Sequence, residues 1–104
     1  MQVLLNTDNQ ITGDLRLTGI VETAIQDAVI HFEDQVTRVE VHLNDVNSGK
    51  SGPDDHRCMI EARIKGHEPL AVTHHAESLM LALDGATEKL KAAVERLLGR
   101  LERR

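Results

Sequence analysis

The chain has 104 residues, 40% of them apolar, which is enough for one small domain with a packed core. Phe32 is its only aromatic residue, so that core has to be built from Leu, Ile, Val, Ala and Met. A net charge of −5 excludes a uniformly basic nucleic-acid binder, and a single cysteine, Cys58, excludes an internal disulfide framework and a Cys-based zinc site. No run approaches the roughly 20 apolar residues of a membrane span, and the N-terminus lacks the pattern of a signal peptide. We therefore expect one domain over residues 1–104, soluble and cytoplasmic.

The first seven residues, MQVLLNT, read as a short strand with Val3 and Leu5 on one face and Leu4 on the other. Asp8, Asn9, Gly13 and Asp14 then supply turn chemistry. From Leu15 to about Asp34 the period changes. Leu17, Val21, Ala24, Ala28 and Phe32 recur at spacings of three or four, widened by Ile20 and Ile25, so a helix is expected with Asp14 as its N-cap. Strict alternation resumes from Val36 to Asp45. Val39, Val41 and Leu43 share one face, and Arg38, Glu40, His42 and Asn44 share the other.

The segment DVNSGKSGPDD is loop chemistry. A second alternating run turns Cys58, Ile60, Ala62 and Ile64 inward and Arg57, Met59, Glu61, Arg63 and Lys65 outward. Gly66 to Pro69 makes a turn, and Leu70 to His75 is a further strand. The last helix opens at Glu77 or Ser78 along a stripe of Leu79, Leu83, Ala86, Leu90, Ala93, Val94, Leu97 and Leu101. Gly85 and Gly99 lie within it, each costing about 1 kcal/mol relative to Ala.

The order β-α-β-β-β-α predicts a right-handed parallel crossover followed by two antiparallel connections. Half-buried strands leave one sheet face dry, and both helices must cover it. The expected fold is an α+β two-layer sandwich, a four-stranded sheet with two helices on one face.

Catalytic patterns are weak. The six histidines lack the spacing of a zinc motif, and His74 and His75 point to opposite faces of their strand, so surface or sheet-rim histidines are expected and no metal. Cys58 reads as a small core hydrophobe. SGKSG lacks the full phosphate-loop pattern and precedes a strand, and Asp54-Asp55 sit in the loop without a cleft. We expect no enzyme, no cofactor and no small-molecule substrate.

Charge is more informative. Residues 1–34 hold one basic side chain, Arg16, against six acids, while residues 89–104 hold six basic side chains against two acids. Cations at a helix C-terminus complement the macrodipole. Lys89, Arg96, Arg100 and Arg103 also recur at seven, four and three, along one side, as a row able to track a phosphate backbone.

The element order, the strand TRVEVHLND and the stretch AESLMLALDGATEKLKAAVERL together resemble the ribosome hibernation promoting factor and ribosome-associated inhibitor family over essentially the whole chain. The matching positions are Glu77, Leu79, Ala82-Leu83-Asp84 and Lys89-Leu90. The resemblance implies a non-catalytic domain that binds rRNA of the small ribosomal subunit at the decoding region and silences translation in idle cells. Carried over by position, it marks Lys89, Arg96 and Arg100 on the last helix as rRNA contacts, with Arg38, Arg63 and Lys65 as weaker candidates. The end at Arg104 leads us to expect the short form, without the dimerisation domain of long members. One departure is the first helix, acidic from Glu22 to Asp34 where family members usually carry Lys or Arg. It keeps a second reading open, a divergent protein-interaction module of the same fold that does not bind ribosomes, with self-association through its oppositely charged surfaces.

Overall fold

The computed structural model describes residues 1–8, 11, 13–45 and 56–102, with side chains described as far as residue 99. The elements are β1 (Gln2–Thr7), α1 (Leu15–Ala28), a 3₁₀ turn (Ile30–Phe32), β2 (Val36–Asp45), β3 (His56–Ile64), β4 (Leu70–Ala76) and α2 (Leu79–Glu102). The expected loop over 45–55 lies, apart from Asp45, outside the described residues.

The sheet order is β1-β2-β3-β4. β1 pairs in parallel with β2, and the other two pairings are antiparallel. This is the predicted sandwich. The inward positions of β2 and β3, Val39, Val41, Leu43, Cys58, Ile60, Ala62 and Ile64, are all buried, and both helices pack on that face. Val36 is buried as well, because a bulge between Val36 and Arg38 inserts one extra residue and restores its inward direction.

Asp14 caps α1 as expected, its Oδ1 accepting from the Leu17 amide at 2.8 Å. The helix ends at Ala28 rather than near Asp34. Val29 and Ile30 are β-branched and helix-weakening, and the chain tightens into the 3₁₀ turn that still buries Val29 and Phe32. The buried stripe runs Leu17, Val21, Ile25 and Val29, with Ala24 and Ala28 at its border and Ile20 exposed.

Ser78 opens α2, its Oγ accepting from the Leu81 amide at 3.2 Å. Only Glu77 and Ser78 separate β4 from α2, so the helix must fold straight back along β4. Its 24 residues span about 36 Å, against about 23 Å for the seven of β4. The C-terminal turns of α2 therefore extend past the start of β4, towards the end where β2 begins and β3 ends.

The contact between β4 and α2 reverses the expectation for Gly85. His74 faces inward, and a Cβ on Gly85 would collide with the His74 ring at Cδ2, Nε2 and Cγ. Gly85 is thus a clearance position, not a tolerated defect. Gly19, within α1, faces open space. In urea denaturation, Gly85→Ala should lose about 1–3 kcal/mol through overpacking, whereas Gly19→Ala should gain up to about 1 kcal/mol from helix propensity. In a His74→Ala background the Gly85→Ala change should cease to destabilise.

Candidate nucleic-acid interface

α2 borders α1 on one flank and β4 on the other. The flank towards α1 borders a groove lined by Ala24, Asp27 and Ala28 from α1 and by Asp84, Thr87, Glu88 and Lys91 from α2. Three carboxylates against one ammonium make that groove anionic. The flank beside β4 carries Lys89 and, on the same side by sevenfold spacing, Arg96, both exposed, while its first turns border a pocket that Glu77, Asp84 and Glu88 share with His74 and His75.

Lys89 has a local duty as well. Its Nζ donates to the Thr73 carbonyl at 2.8 Å. β4 is an edge strand, and this bond occupies one of the acceptors on its open side while tying the middle of α2 to the sheet. Arg96 lies two turns further on, and the side chain of Arg100 lies outside the described residues.

The sheet candidates belong to the opposite layer. Arg38 and Arg63 are direct cross-strand partners on the open face. Arg38 is engaged by Glu40, Nη2 to Oε1 at 2.8 Å, while Arg63 is exposed. Lys65 follows β3 with an exposed side chain, its amide donating to the Gln35 carbonyl at 2.9 Å. Because α2 runs antiparallel to β4, Arg96 comes to the same end of the molecule as Arg38, Arg63 and Lys65. Lys89 stays nearer the middle. The candidates thus gather towards one end of the molecule, spread over two layers and interspersed with the exposed Glu33, Asp34 and Glu68 of the turns there, not in one continuous row.

Two residues without a place in that interface are also informative. Cys58 is fully buried, and desolvation pushes its thiol from 9.0 up to about 12. His42 approaches Glu40 and Glu61 on the open sheet face, a convergence that spacing along the chain did not reveal because Glu61 lies on a different strand.

The fold is an α+β sandwich with two helices on one face of a four-stranded sheet, its charged groups on the open sheet face, the outer helix surfaces and the turns. The model of the family described as sigma 54 modulation protein / S30EA ribosomal protein matches residues 7–102, and the chain belongs to that family, as its resemblance to the hibernation factors implied. No curated protein matches it by sequence. Among solved structures it is similar to the Protein Y N-terminal domain of Thermus thermophilus, with 18% identity, a TM-score of 0.76 and coverage of 93% of this chain and 99% of that one. It is also similar to a ribosomal subunit interface protein from Coxiella burnetii, with 8% identity, a TM-score of 0.76 and coverage of 95% and 99%. At these identities the structural likeness bears on the fold.

The Cys58 thiol gives a test of core burial. Below its ordinary value of 9.0 the thiol is protonated in both folded and unfolded chains. From 9.0 to about 12 the unfolded chain loses that proton while the folded chain keeps it, so stability falls as pH rises. Urea midpoints measured across this range should decline more steeply for the wild type than for Cys58→Ala.

Proposed function

We propose that this protein is a non-catalytic factor that binds rRNA of the small ribosomal subunit and holds idle ribosomes out of translation. The observation that carries the reading is the family match across residues 7–102, a family described as containing a ribosomal protein. The shared fold, found also in a ribosomal subunit interface protein, supports it. Phosphate contact falls to the end of the molecule where β2 begins and β3 ends, with Arg96, Arg63 and Lys65 as its exposed cations and Arg38 beside them, while Lys89 adds a cation nearer the middle of α2 and Arg100 is a further candidate. The groove between the helices, with Asp27, Asp84 and Glu88, repels phosphate and faces away from the RNA.

That anionic groove also favours a second reading. A cationic protein segment, including one from another copy of the chain, would complement it. Concentration-dependent mass by light scattering would support self-association.

The first reading predicts that the protein pellets with purified small subunits at low salt. About four phosphate contacts imply a loss of about a hundredfold in affinity between about 50 and 200 mM salt. Arg63→Glu combined with Arg96→Glu should remove most of the pelleted fraction, while Asp27→Lys should leave it unchanged or raise it. Protein that stays in the supernatant at low salt with subunits in excess would refute ribosome binding.

A further inference from the structure

Glu40 on β2 and Glu61 on β3 are direct cross-strand partners on the open face of the sheet. Like charges in that position repel and weaken the pairing. His42 lies two residues beyond Glu40 and therefore on the same face. Its Nε2 is 3.1 Å from Glu61 Oε1 and 3.6 Å from Glu40 Oε2. A single ring nitrogen thus faces two carboxylates, and a neutral imidazole brings at most one proton there.

Arg38 sharpens the geometry. It holds Glu40 through Oε1, at 2.8 Å, and leaves Oε2 turned towards His42. A donor that fixes one carboxylate oxygen while the other is free to coordinate is a common outer-shell arrangement around bound metals.

We propose that Glu40, His42 and Glu61 form a binding site for a divalent transition-metal cation of the Zn²⁺ type. One ligand atom from each residue lies within 4.8 Å of the others. The two distances to Nε2 bracket the separation of about 3.3 Å expected between ligands of a tetrahedral ion with bonds of about 2.0–2.2 Å. An imidazole with two carboxylates suits Zn²⁺ better than Mg²⁺ or Ca²⁺, which take all-oxygen sets. The ion would accept the Nε2 lone pair, with the ring proton on Nδ1, and offset the repulsion between the carboxylates. Glu61, 48% exposed, leaves the fourth position open to water or to an outside ligand. The site is independent of the ribosome reading, although Arg38 borders both.

Isothermal titration of the full chain with ZnCl₂ tests the assignment. The wild type should show one saturable site, lost in His42→Ala and weakened about tenfold or more in Glu61→Gln. His75→Ala removes an exposed imidazole on the same sheet face outside the trio and should bind as the wild type does. MgCl₂ should give no saturable heat. Zn²⁺ should also raise the melting temperature of the wild type and of His75→Ala, with a smaller rise in Glu61→Gln. Should His42→Ala fail to fold, as judged by circular dichroism, the contrast between Glu61→Gln and His75→Ala decides the matter. Equal binding by wild type and Glu61→Gln, or no saturable binding by the wild type, would overturn the proposal.

Discussion

Burial of alternate residues along β2 and β3 is the constraint from which the other features follow. The two central strands place eight apolar side chains on one face and leave mostly charged and polar groups on the other. Water must be excluded from the first face, and two helices on the same side achieve this. The parallel crossover then directs α1 across the β1–β2 half, while the two-residue connection after β4 directs α2 back over β3 and β4.

Charge is distributed around this frame rather than through it, and no polar or charged residue is fully buried among the described ones. The groove between the helices is acidic, the flank of α2 beside β4 passes from Glu77, Asp84 and Glu88 to Lys89 and Arg96, and the open sheet face carries a mixed network running from Arg38 through Glu40 and His42 to Glu61. Where phosphate would meet the molecule depends on which of these surfaces is turned towards it.

The contact of His74 with Gly85 shows how closely the layers are matched. An inward histidine on an edge strand occupies the space that a side chain on the facing helix would need. Lys89 closes the same interface from the outside by donating to the Thr73 carbonyl. One of the residues marked by family resemblance thus has structural work on the strand edge in addition to any contact with RNA.

Element types and order, the Asp14 cap, the inward faces of β2 and β3 and the family were legible in the sequence, because each rests on local chemistry or short-range periodicity. The end of α1 was not: the apolar stripe continues through Phe32, and whether it continues as an α-helix depends on how the next strand has to be reached. Nor could periodicity distinguish Gly85 from Gly99, since the difference lies in what stands opposite. The grouping of Arg96 with Arg63 and Lys65 at one end, and of His42 with Glu61, joins residues from separate elements. Such groupings are decided by strand register and by the direction of α2, quantities that exist only once the layers have packed.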